Sequence, residues 1–290
     1  MAKILFGYDT ERFEEPAVTS HFLRTMSRLH EEYQIPCTLF LVGKVIENNA
    51  EEIKPLVGNP LFDLQQHGYS HQPVKTYVMD FRQMPEEELE KIEWLRGRPR
   101  VVVHRGLSLE EIKEEVTKTQ QRMRDLLGIE RNPGMTCPFA YYLGLLDRPD
   151  ITDLLYELGI RFVRSWGRNF YGWNPTPFDV QPFFYTAHGH DDMLEIPIQG
   201  WHDVLWKSQH GWKNIEGYVA MLKDDLHGVL AQDYTWSFLA HDWSSVREDP
   251  EMSGICTFIE YARQQRDVTF MTHAAFYEQA LAERSTTGRA

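Results

Sequence analysis

Short apolar runs recur along this chain, separated by longer stretches with helical periodicity, and that alternation restricts the fold more than any other feature. Residues 4–8 are the first run and end in Asp9-Thr10-Glu11. Residues 17–34 follow at helical spacing through Phe22, Met26, Leu29 and Tyr33, and residues 37–42 are the next run, closed by Gly43. Parallel strands buried on both faces need such apolar runs, and amphipathic helices supply the crossovers between them. The pattern continues with helix over 44–57 and strand over 61–65, running into His67. Ser108 with Glu111 reads as a capping box opening a helix through Leu127, stopped by Gly128. Residues 136–139 read as a strand end, 151–158 as helix and 161–165 as strand. An irregular Pro- and aromatic-rich stretch, 169–186, precedes a strand at 193–198. Helix at 219–229, strand at 235–240, helix at 255–263 and strand at 268–271 complete the series. The expected fold is α/β, a distorted (β/α) barrel with about seven βα units. It would form one domain over 1–290, with an insertion around 77–105 and a frayed tail at 285–290.

A chain of 290 residues with 42% hydrophobic content buries a core large enough to hold a concave site without disulfides. Its net charge of −13 lacks the basic stripe that a phosphate backbone demands, so nucleic acid and anionic membranes are excluded as charge-driven partners. Cys37, Cys137 and Cys256 are far apart in sequence and fit free thiols in a reducing compartment. No apolar run has the length of a membrane span, and the N-terminus turns acidic by residue 9, unlike a secretory signal. The expectation is a soluble, cytoplasmic protein with no transmembrane segment. Aromatic residues make up 13% of the chain, which suits sugar faces as well as a large core.

In barrels of this class reactive groups stand where strands end. Three proposed strands end on such groups: Asp9 and Glu11, His67 and His71, and His241 with Asp242. His67-Gly-Tyr-Ser-His71 sets two imidazoles on one helical turn or turn-like loop, from which both reach a single ion. Imidazole suits zinc, and one oxygen ligand beside the pair leaves a position open for water. Asp9 and Glu11 share a face in an extended segment, so one carboxylate can bind metal while the other takes a proton. His241 is placed to protonate a leaving group, with a neighbouring carboxylate fixing its tautomer. His188-Gly-His190-Asp191-Asp192 is a rival metal cluster, but it precedes a strand instead of following one. His202, His210 and His227 are read as structural or surface groups.

In order, these residues resemble the polysaccharide deacetylase family, the NodB homology domain of carbohydrate esterase family 4. Residues 5–11 (LFGYDTE) are similar to its first motif, 38–43 (TLFLVG) to its second strand and 67–73 (HGYSHQP) to its HxxSH motif. Residues 194–197 (LEIP) and 239–242 (LAHD) resemble a late strand and the closing LxHD motif. The resemblance implies a divalent metal, typically zinc, held by an acid and the two histidines. It casts Asp9 as catalytic base, His67 and His71 as ligands, and His241 as general acid. The metal-binding acid usually follows the base directly, where this chain has Thr10. Members that space the pair by one residue assign the ligand to Glu11; the alternative makes Asp9 the ligand, with the base missing or elsewhere. The third motif, Arg-x-Pro, corresponds here to Thr136-Cys137-Pro138, so its arginine is absent and Arg164 or Arg168 is the candidate replacement. Pro138, Arg164 and Trp166 are the candidate substrate contacts. The implied activity is removal of an N-acyl (acetyl or formyl) group from a free, lipid-linked or nucleotide-linked amino sugar, by a chain that is also a candidate homo-oligomer. An allantoinase-like hydrolase of a linear amide and a carbohydrate-binding barrel without catalysis are the alternatives.

Overall fold

The computed structural model describes residues 1–287 and is built on one curled, largely parallel sheet. Its strands are β1 (Ala2–Thr10), β2 (Cys37–Leu41), β3 (Phe62–Gln66), β6 (Gly134–Tyr141), β7 (Phe162–Trp166), β8 (Phe183–Phe184), β9 (Leu194–Glu195), β10 (Thr235–His241) and β11 (Val268–Phe270). Two further strands, β4 (Tyr77–Asp80) and β5 (Val101–His104), pair antiparallel with each other as a separate ribbon. The main order is β10-β1-β2-β3-β6-β7-β9-β8, with β11 paired to the start of β1. All these neighbours run parallel except β8 against β9. A single parallel bridge from Ile198 to Ser237 links the far side back to β10, so the sheet bends nearly into a closed barrel.

The centre of the sheet is apolar on both faces because helices cover the outside and side chains fill the inside. Every residue of β1 except Lys3 is buried. Helices Pro16–Tyr33, Ile215–Ala231 and Ser253–Arg263 place Phe22, Leu226 and Phe258 in the same cluster as Phe6 and Tyr8. Helix Leu109–Leu127 begins at the expected capping box: Ser108 Oγ accepts from the Glu111 amide at 3.3 Å, and the Ser108 amide donates to Glu111 Oε2 at 2.8 Å. Gly128 ends it in the left-handed conformation.

One expectation requires correction. The strand read at 193–198 shortens to Leu194–Glu195 as a regular ladder, although the Ile196 and Ile198 amides still donate to Val163 O and Trp166 O of β7 at 2.8 and 2.7 Å and Ile198 also bridges to Ser237. Of the tail expected at 285–290, residues 285–287 belong to helix His273–Thr287, which is anchored by buried Phe276 and Tyr277; residues 288–290 lie outside the described residues. Cys37 and Cys137 are buried and Cys256 partly so, all as free thiols. Among the described residues, no helix is long and apolar enough to cross a membrane.

The capping box bears on the functional end of the sheet. Glu115, on helix Leu109–Leu127, accepts from the amides of Tyr69 and Ser70 at 2.9 and 2.7 Å and from Ser70 Oγ at 2.7 Å, so this helix clamps the His67–His71 loop. Removing the cap in Ser108→Ala is expected to cost about 1 kcal/mol in urea unfolding. An unchanged midpoint would show that the helix start is held by packing instead.

Candidate metal and acid–base site

The C-terminal ends of β1, β3 and β10 converge. Asp9 lies in direct register with His241 across β1 and β10, and the His67 amide donates to Leu41 O at 2.9 Å just beyond the end of β3. The His67–His71 segment is a loop and not a helical turn. Gly68 and His71 take φ values of 72° and 58°, which folds the loop back so that both imidazoles face one point.

His67 is 1% exposed, and its Nδ1 lies 2.8 Å from Thr136 O, which fixes the proton on that nitrogen. Its Nε2 is therefore a buried lone pair with no hydrogen-bond partner. That atom lies 3.5 Å from Glu11 Oε2 and 3.7 Å from Asp9 Oδ2, while His71 Nε2 lies 2.8 Å from Glu11 Oε2. One ligand atom from each of Glu11, His67 and His71 falls within 4.8 Å of the others. Burial alone would raise the Glu11 carboxyl, but His71 and His241 outweigh it and hold it well below the carboxylate range. Burial alone would lower His71, yet the Glu11 charge raises it. Trp243 Nε1 donates to Glu11 Oε1 at 3.1 Å and fixes the outer oxygen.

Asp9 is turned elsewhere. Its Oδ1 accepts from Arg164 Nη1 at 3.0 Å, and Arg164 is fully buried inside the curled sheet. The same guanidinium donates to Thr136 Oγ1 at 3.0 Å and Ser237 Oγ at 3.2 Å, and lies over the Phe40 ring. Gly7 provides the room: a Cβ there would stand 2.9 Å from Arg164 Cζ. The arginine missing at Thr136 is thus supplied one strand later. Arg164 consequently does not line the cavity, and its donors are used by the protein itself. Pro138 and Trp166 also do not line the cavity. Pro138 is buried and its carbonyl accepts from Tyr141 Oη at 2.9 Å, and Trp166 Nε1 donates to Arg168 O at 3.2 Å.

His241 is oriented by Asp203, the first residue of helix Asp203–His210, and not by its neighbour Asp242. Asp203 Oδ1 lies 2.6 Å from His241 Nδ1, and Oδ2 accepts from the His241 amide at 3.0 Å. Asp242 points the other way, accepting from Thr19 Oγ1 at 2.7 Å and the Arg12 amide at 3.1 Å; burial, with Glu11 adding to it, raises its carboxyl to about 6. Asp203 was not singled out from the sequence; its only local mark is a buried acid opening a helix after Trp201-His202. His188 and His190 are pinned elsewhere by Thr152, Leu146 O and Asp153, with His190 stacked on Tyr156. His210 stacks on Trp206 and His227 pairs with Tyr261 Oη, but His202 lines the cavity with a buried Nε2 that has no partner.

Burial alone would lower the His241 pKa, but Asp203 and then Glu11 raise it to about 10. A folded-state pKa above the ordinary 6.5 means that the stabilisation from charged His241 is complete below pH 6.5 and is lost as pH rises through about 10. The metal-free protein is expected to lose stability across that window. Asp203→Asn should flatten this slope and move the imidazole titration down toward 6.5, read from histidine ring NMR. An unshifted titration would contradict the Asp203 assignment.

With this geometry in view, the sequence matches the family model described as polysaccharide deacetylase over residues 6–162, just over half of the chain. No curated protein sequence matches it. The structure is similar to that of a putative polysaccharide deacetylase from Mycobacterium smegmatis, at 14% identity over 98% of this chain and 91% of that one, with TM-score 0.67. It is also similar to Puue allantoinase, at 16% identity, 96% and 90% coverage and TM-score 0.64. A probable polysaccharide deacetylase from Pseudomonas aeruginosa PAO1 gives 16% identity, 96% and 90% coverage and TM-score 0.62. At these identities the structural likenesses speak for the fold alone. The match to the family model over more than half of its length places the chain in the polysaccharide deacetylase family, a family of hydrolases acting on carbon–nitrogen bonds.

Proposed function

We propose that this protein is a metal-dependent amide hydrolase that removes an acetyl or formyl group from the nitrogen of a small amino-sugar-type substrate. The observation that carries the reading is the buried, unpartnered His67 Nε2 facing Glu11 and His71, with Asp9 and His241 at its sides. Two neutral imidazole nitrogens and one carboxylate oxygen fit a divalent ion such as zinc, with room for a water and a substrate oxygen. Glu11 is the acid of this set, and Asp9, committed to Arg164, is left outside it.

When bound, such an ion supplies Lewis acidity toward the acyl oxygen and acidifies a water. The chain's own groups do the rest. Asp9 Oδ1 is held by Arg164, which leaves Oδ2 to take a proton from the attacking water. His241 Nδ1 is held by Asp203, which leaves Nε2 to give a proton to the departing nitrogen. Phe139, Ile198 and Leu239 line the same cavity and exclude water around the acyl group.

The cavity, about 160 Å³, favours a small substrate over an extended polymer. A barrel without catalysis draws its support from the absent motif arginine and the shifted acid; Arg164 beside Asp9, and Glu11 beside His67 and His71, speak for the hydrolase instead.

Elemental analysis is expected to find about one zinc per chain, absent in His67→Ala. Asp9→Asn should keep the metal and lower kcat for acetate or formate release from N-acylated amino sugars by about 10²–10⁴. Turnover that survives this substitution would remove Asp9 from the base role.

A further inference from the structure

Two arginines are buried at the inner end of this barrel, and only one has a carboxylate. Arg164 is neutralised by Asp9 at 3.0 Å. Arg168 is 7% exposed and lines the cavity, yet no Asp or Glu among the described residues lies within ion-pair distance of it. Its Nε donates to Phe139 O at 2.9 Å and Ala140 O at 3.0 Å, and its Nη1 donates to Gly172 O at 2.8 Å. Those bonds hold two residues in left-handed conformation, with φ 71° and 46°. Its Nη2 has no acceptor among the described residues. Tyr77 lies with its ring 5.1 Å from the guanidinium and offers no negative charge at neutral pH. His202, beside it in the cavity wall, carries a further nitrogen without a partner.

A guanidinium stays charged in proteins, and a buried one without a counter-charge is costly unless a ligand supplies it. Arg presents paired donors that match the two oxygens of a carboxylate. The geometry points to Arg168 as a specificity residue that receives a carboxylate on the part of the substrate that is not cleaved, so that the preferred substrate is an acyl amide bearing a carboxylate. This rests on the cavity being the amide-hydrolysing site.

The test compares N-acetylglycine with its neutral isostere N-acetylglycinamide by calorimetric titration of the zinc-loaded protein. The carboxylate is expected to bind about ten- to hundredfold more tightly, as a charged hydrogen bond would give. In Arg168→Gln that ratio should fall to near one, while zinc content is unchanged. Arg168→Lys keeps the charge without the fork, should retain part of the ratio, and serves where the glutamine variant does not fold. Equal binding by the wild type overturns the proposal. So does a preference that survives in Arg168→Gln, which would assign the carboxylate to the metal, or an equal weakening of both ligands, which would make Arg168 purely structural. Preference for the carboxylate without acetate release from any amide would refute the hydrolase reading and leave the anion site standing, whereas release without preference would do the reverse.

Discussion

The Asp9–Arg164 pair ties four strands together at the end of the barrel that carries the site. Asp9 ends β1, Arg164 stands on β7, and its remaining donors reach Thr136 on β6 and Ser237 and Phe238 O on β10. Burying two charges is expensive, and the cost is offset only where geometry is good and the donors find acceptors; here each of the three guanidinium nitrogens has at least one. Losing one partner of such a pair typically costs about 3–5 kcal/mol, because the other charge is then stranded. Gly7 on β1 and the Phe40 ring below complete the slot in which the guanidinium lies.

This pair also divides the labour between the two acids. An aspartate bound to a fixed arginine through one oxygen is oriented with the other left free, which suits a proton acceptor. Glu11, one step past the strand end, is free of that constraint and meets both imidazoles. The same logic is repeated on the other side, where Asp203 fixes His241 through two contacts from a helix that starts far away in sequence. Asp9 and His241 are thus each held by a buried partner that does not itself line the cavity, a common arrangement where precise orientation matters.

The legible part of the molecule was whatever depends on local pattern. The strands at Ala2–Thr10, Cys37–Leu41 and Thr235–His241 are buried on both faces and read directly as apolar runs. The Ser108 cap and Gly128 stop are local hydrogen-bond chemistry and appear where expected. What escaped the sequence depends on closure of the sheet. Asp203 reaches His241 only because β9 and the following helix fold back to β10, and nothing within a few residues of Asp203 announces it. Asp242 misled by adjacency: the chain turns into a helix at that point, and its side chain faces Thr19. Arg164 was legible as a candidate replacement for the motif arginine, but its full burial behind Asp9 follows from Gly7 and Phe40, which lie on other strands.

The central claim is that Glu11, and not Asp9, joins His67 and His71 around a divalent ion while Asp9 stays with Arg164. Anomalous diffraction from zinc-soaked crystals tests it most directly. The account predicts one peak at about 2.0–2.2 Å from Glu11 Oε2, His67 Nε2 and His71 Nε2, with the Asp9–Arg164 contact intact. A peak bonded to Asp9 with Glu11 turned away, or no peak at this position, would contradict it.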